Sequence, residues 1–161
     1  MNMVYLTRKP IDISDVVGRD APMWASSSRA ATQGRPYHTG ACILFLGTVR
    51  NHSEGREVLY LEYEAYETMA ERMIEESVKS ALEKWKPEEI KLLHRLGCVE
   101  LGEIAVAIEV RSAHRDEAYQ ASRYLIEEIK HRVPIWKKEY FADGTSEWSL
   151  CQTYALLSRS D

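Results

Sequence analysis

From residue 67 to 85 apolar side chains recur at spacings of three and four: Met69, Met73, Ile74, Val78, Ala81, Leu82 and Trp85. That period predicts an amphipathic helix over 67–85, and Pro87 limits its extension. A second helix is expected from 113 to about 130, ended by Pro134. The segment 41–49 is apolar on both faces, with Ile43, Phe45 and Val49 on one and Leu44 and Leu46 on the other, which predicts a central strand covered on both sides. Residues 58–66 alternate, with Leu59, Leu61, Tyr63 and Ala65 against Tyr60, Glu62, Glu64 and Tyr66, so one face of that strand is wetter. Further strands are expected at 90–95, at 104–111 with Ile104, Val106, Ile108 and Val110 inward, and at 135–140. A hairpin-type connection with Gly55 is read over 51–57, and turns over 97–103 and at 143–145. Residues 4–17 suggest a short strand followed by a turn or short helix.

The order is two strands, a helix, two strands, a helix and a strand. Two hairpins each followed by a helix predict an α+β fold with a largely antiparallel sheet and two main helices. At 161 residues the chain suits a single domain over 1–161. Within it, 18–37 is small, polar and broken by Gly and Pro, and is expected to be a mobile loop; 149–161 is a short tail.

Charge narrows the function. A net charge of −4 argues against a general nucleic-acid binder, though a small cationic pocket remains open. Neither a bilayer-spanning apolar run nor a signal peptide is evident, so the expectation is a cytoplasmic protein without membrane association. Cys42, Cys98 and Cys151 are odd in number and lack a Cys-x-x-Cys pair. They read as reduced thiols, at least one buried, rather than as disulfides, a zinc site or a persulfide carrier.

Against that acidic background the cations gather locally. His114 and Arg115 are expected in the first turn of a helix, where cations oppose the macrodipole. A bound anion turns that conflict into an asset, and a solvated surface pair is an equally good reading. Lys130, His131 and Arg132 close the same helix, where cations belong in any case. Lys137 and Lys138 follow in an extended segment and must face opposite ways, Lys138 with Trp136 and Lys137 with Ile135 and Glu139. By pattern alone, surface lysines are the commoner outcome. Arg50 ends a strand and can grip a phosphate with two parallel hydrogen bonds. The role of His52 is open. His94 and Arg95 end a strand, where a structural role or solvent exposure is the better reading.

These segments share one order and spacing. Gly47-Thr48-Val49-Arg50-Asn51-His52, Leu61-Glu62-Tyr63-Glu64-Ala65-Tyr66, His94-Arg95-Leu96-Gly97, Ser112-Ala113-His114-Arg115 and Lys130-x-x-x-Pro134-x-Trp136-Lys137-x-Glu139 together resemble the large, catalytic subunit family of molybdopterin synthase. The resemblance covers about residues 38–148. The stretch 21–37 is longer than that family usually has, and the tail is short.

The resemblance implies an α/β-hammerhead-like fold. It implies a sulfurtransferase that converts cyclic pyranopterin monophosphate to molybdopterin. The sulfur comes as a thiocarboxylate on the C-terminal Gly-Gly of a small ubiquitin-like carrier subunit. The implied assembly is a heterotetramer around a homodimer. Lys130 and Lys137 match the catalytic lysines. Arg50, His114 and Arg115 match the anion-binding positions, with His114 and Arg115 serving the neighbouring subunit's pocket. No metal or other cofactor is implied at this step.

Overall fold

The computed structural model describes residues 3–17 and 39–149. The expected loop over 18–37, Cys151 and nearly all of the tail lie outside the described residues. The elements are β1 (Met3–Thr7), α1 (Ile13–Val17), β2 (Ala41–Thr48), β3 (His52–Ser53), β4 (Arg56–Ala65), α2 (Glu67–Trp85), β5 (Glu89–Arg95), β6 (Gly97–Glu100), β7 (Ile104–Ser112), α3 (Arg115–His131), β8 (Ile135–Phe141) and β9 (Ser146–Ser149).

Pairing is largely antiparallel, as expected, but the strands form two sheets. The first has the order β1-β5-β7-β2, and only β1 and β5 run parallel. The second has the order β3-β4-β8-β9, with β6 also paired to β4. The hairpin anticipated between 41–49 and 58–66 does not form. β2 pairs β7, and β4 joins the other sheet. The tight hairpin is β3–β4, whose two turn residues, Glu54 and Gly55, both have positive φ as a primed turn demands.

β2 is therefore an edge strand rather than the central one expected. Most of its residues are only half-buried, whereas β5 and β7 are buried on both faces. An apolar run on both faces signals burial but cannot say which strand takes the middle. The stretch 97–103 was expected to be a turn, yet its first half is β6, because Val99 is buried in a core with Val49, Val58, Leu61, Ala105 and Phe141.

Helices α2 and α3 lay their apolar stripes on one face of the first sheet. Ile74, Val78, Leu125 and Ile129 meet Leu92, Ile108 and Val110 there. α2 occupies the span its periodicity predicted, and ends on Lys86 in a left-handed conformation whose N–H donates to the Leu82 carbonyl. On the opposite face Ile11 and Val16 cover Leu93 and Ala107. That face also holds a fully buried carboxylate, Glu109, met by Arg111 at 2.9 Å and Lys91 at 3.5 Å.

His94 and Arg95 take the structural role. Arg95 donates to Glu103 at 2.7 Å. His94 is buried, its Nδ1 2.9 Å from the Arg95 carbonyl, which fixes that nitrogen as the donor, and its ring stands edge-on to Tyr63 at 5.2 Å. Burial pushes the imidazole pKa down to about 4, against a smaller opposing effect of the carbonyl. The unfolded chain thus binds a proton that the folded one refuses between about 6.5 and 4. Stability is expected to fall as pH drops through that window, by roughly 3 kcal/mol at its lower end. Urea melts at pH 7 and pH 4.5 measure it, and a folded His94→Gln variant should lose most of the slope.

Candidate functional site

Strand β8 carries the site. Ile135, Glu139 and Phe141 are buried and Lys137 is half-buried with them, whereas Trp136 is exposed on the other face. Pairing with β4 sets Lys137 opposite Tyr63 and Glu139 opposite Leu61. The alternation predicted for the two lysines is present. Lys138 turns to the outer face, where its ammonium lies 5.1 Å from the Tyr140 ring and 5.6 Å from that of Trp148.

Lys137 Nζ sits 2.7 Å from Glu139 Oε1. Burial raises the Glu139 carboxyl. Hydrogen bonds from Lys137 and Ser53, with the charges of Lys137 and Arg50, outweigh it and leave the group below its ordinary range. Four side chains from three places thus converge. Arg50 follows β2, Ser53 belongs to β3, and Lys137 and Glu139 lie on β8. Arg50 is exposed and Glu139 is 7% exposed, so a buried carboxylate anchors a cationic surface. Such a group can hold an anion, and Lys137 can exchange a proton with it.

Sequence pattern alone assigns no function to Glu139, although it stands in the same block. The available signal was its spacing: two residues from Lys137 on a strand means the same face.

Lys130 is exposed in the last turn of α3. Its neighbours are tied to their own helix, His131 to Glu127 at 2.9 Å and Arg132 to Glu128 at 2.6 Å. Lys130 has no ion pair among the described residues. It stands at the end of α3 from which the chain enters β8.

His114 is the N-cap of α3 rather than part of its first turn, and Arg115 is the first helical residue; both are exposed. The structure does not bring this pair to the lysines. Along α3, Arg115 and Lys130 are separated by roughly 22 Å. The strands agree. Ser112, just before the pair, is opposite Ala41, whereas Thr48, just before Arg50, is opposite Ile104 at the other end of β7. Within one chain, then, Arg50 and Lys137 form one group, with Lys130 at that end of α3, and His114 and Arg115 lie at the far end. His52 is exposed, with Nδ1 3.1 Å from Asn51 Oδ1.

The expectation that at least one thiol is buried is not met among the described residues, where Cys42 and Cys98 are both exposed. Neither is activated. Although both residues are exposed, partial desolvation of the thiol and then Glu109 push Cys42 up to about 11, and partial desolvation and then Glu100 push Cys98 up. No cluster able to hold a metal ion occurs among the described residues. Nor is any helix among them long and apolar enough to cross a membrane.

The family model for the MoaE protein matches residues 19–132. The chain belongs to the MoaE family. It is 46% identical over 107 residues to the molybdopterin synthase catalytic subunit of Halalkalibacterium halodurans, a match covering 66% of this chain and 69% of that protein. It is 47% identical over 109 residues to that of Bacillus subtilis, covering 68% and 69%. Among solved structures, molybdopterin synthase from Staphylococcus aureus aligns with a TM-score of 0.72 at 35% identity, over 89% of this chain and 94% of that one. A chain of the complex of subunits 1 and 2 of molybdopterin-converting factor from Helicobacter pylori aligns at 0.66 over 91% and 89%; at 20% identity it speaks to the fold alone. Membership places the chain among the catalytic subunits of molybdopterin synthase, in molybdenum cofactor biosynthesis.

Proposed function

We propose that this subunit converts cyclic pyranopterin monophosphate to molybdopterin, taking sulfur from the thiocarboxylated C-terminal Gly-Gly of a small ubiquitin-like carrier. The observation that carries this reading is the convergence of Arg50, Ser53 and Lys137 on the buried Glu139. The substrate is a phosphate ester and the carrier tail ends in an anion, so both suit a cationic surface held from beneath by a carboxylate. Arg50 binds the phosphate with a planar, permanently charged fork. Lys137, kept in place by Glu139, moves protons at the carbon under attack. Lys130 stands by the carrier's terminal carbonyl. It polarises that carbonyl or captures the acyl group once sulfur has left. His114 and Arg115 neutralise phosphate charge as the cyclic ester opens.

The last role needs a second copy of the chain. Antiparallel apposition of two β2 strands about a two-fold axis brings the Ala41 end of one chain, with His114 and Arg115, to the Thr48 end of the other, with Arg50. The homodimer is thus a means of completing the cation set, and such isologous contacts are the commonest in homo-oligomers.

A carrier-borne sulfur leaves no task for thiols on this chain, and the raised pKa values of Cys42 and Cys98 agree. A Cys42→Ala, Cys98→Ser, Cys151→Ser protein is expected to keep sulfur transfer within about threefold of the parent, since the proposed chemistry uses no thiol of this chain and changes at exposed positions such as Cys42 and Cys98 usually do little. The assay is product formation from thiocarboxylated carrier. A folded but inactive triple variant favours a persulfide route instead.

A further inference from the structure

The β3–β4 hairpin is too small to hold its own position. β3 is two residues long, paired to β4 through His52 with Glu57 and Ser53 with Arg56, with the Val58 N–H donating to the Asn51 carbonyl at 2.9 Å, and a hairpin of that size is marginal alone. Yet it carries Ser53, a ligand of Glu139, and follows directly on Arg50. Besides the Ala142 N–H, which donates to the Glu57 carbonyl at 3.0 Å, the side chain that fastens it is that of Arg56, cross-strand partner of Ser53. The Arg56 guanidinium donates to Glu147 at 2.6 Å, to Asp143 at 3.1 Å and to Thr145. Its plane lies 3.6 Å over the ring of the buried Phe141. All four partners belong to the far end of β8, the turn after it, and β9. One side chain therefore clamps one hairpin to the other, and only a planar fork can both stack and donate in three directions.

We propose that Arg56 is a positioning residue for the site: its clamp ties the β3–β4 hairpin to the end of β8, so that Ser53 stays bonded to Glu139 and Arg50 keeps its place near that carboxylate. Arg56 touches none of the reacting groups in this scheme and acts through Ser53. The inference rests on the sulfur-transfer reading for its catalytic consequence, though not for its structural one. Misplacement of a site group by about an ångström can cost up to about 100-fold in rate.

The test is a double-mutant cycle with two readouts. Turnover is measured with saturating thiocarboxylated carrier for Arg56→Ala, Ser53→Ala and the double variant, with Arg56→Lys as a milder change. The Glu139 carboxyl is titrated in each by carbon NMR, which needs no activity. Arg56→Ala and Ser53→Ala should each lower kcat by about tenfold and raise the Glu139 pKa, and the double variant should go no further than Ser53→Ala alone. Arg56→Lys should fall between Arg56→Ala and the parent in both readouts. Multiplicative losses in the double variant overturn the proposal, as does an Arg56→Ala protein with an unchanged Glu139 titration. Should Arg56→Ala fail to fold, Asp143→Asn with Glu147→Gln unloads the clamp from its other side and must give the same Glu139 shift. A parent protein without sulfur transfer sinks the functional reading, while the titration still decides whether Arg56 acts through Ser53.

Discussion

Lys137→Ala is expected to lower single-turnover sulfur transfer by about 100-fold to 10,000-fold, the usual loss for a positioned acid or base. Stability should change far less, though not negligibly. Lys137 is no free surface lysine, since it balances Glu139, which is 7% exposed. Truncation leaves that carboxylate without its closest cation, at a cost of about 1–2 kcal/mol, or a few degrees in Tm for a chain of this size. Lys138 is the control on the same strand. Its ammonium contacts only the outer aromatic rings of Tyr140 and Trp148 among the described residues. Lys138→Ala should keep turnover within about threefold, in the range of ordinary surface changes. Single-turnover assays at saturating carrier, run beside thermal melts, separate rate from stability. Equal damage from the two substitutions at equal stability contradicts the assignment of Lys137.

Mixing two inactive proteins should restore activity. Arg115→Ala and Lys130→Ala each disable every site in their own homodimers if the pocket draws Lys130 from one chain and Arg115 from the other. In a hybrid dimer, one site receives Lys130 from the first chain and Arg115 from the second, both intact, and the other receives neither. Random exchange makes half the dimers hybrid, so the mixture should recover about a quarter of parental turnover under two-fold symmetry. The separation of roughly 22 Å along α3 motivates the experiment. If each chain used its own Arg115, every site in a verified hybrid would lack one group, and no recovery would follow.

The sequence made the elements legible more readily than their partners. The three- and four-residue period from Met69 to Trp85 located α2 to the residue, because that helix lays one stripe on one sheet. The apolar run of β2 suggested a central strand, and β2 proved to be an edge. Apolar content reports that a strand meets cover on both faces, and α3 and the α1 side supply it without a second strand neighbour. β6 was hidden in a glycine-flanked turn because four residues with one buried valine are too short for a period to register. The site was legible where alternation governs it: Lys137 inward and Lys138 outward follow from a two-residue repeat. Glu139 as the anchor of Lys137, and Ser53 as its other ligand, depend on β3 reaching β8, which no local pattern encodes. Likewise, α3 joins His114–Arg115 to Lys130 in sequence while holding them apart in space.

The most direct measurement is incubation of this chain with a thiocarboxylated carrier and cyclic pyranopterin monophosphate, with assay for the dithiolene product. Molybdopterin is expected, formed with loss of the carrier's sulfur and dependent on Lys137. A folded chain that binds the carrier tail yet forms no dithiolene contradicts it, and leaves a docking module in place of an enzyme.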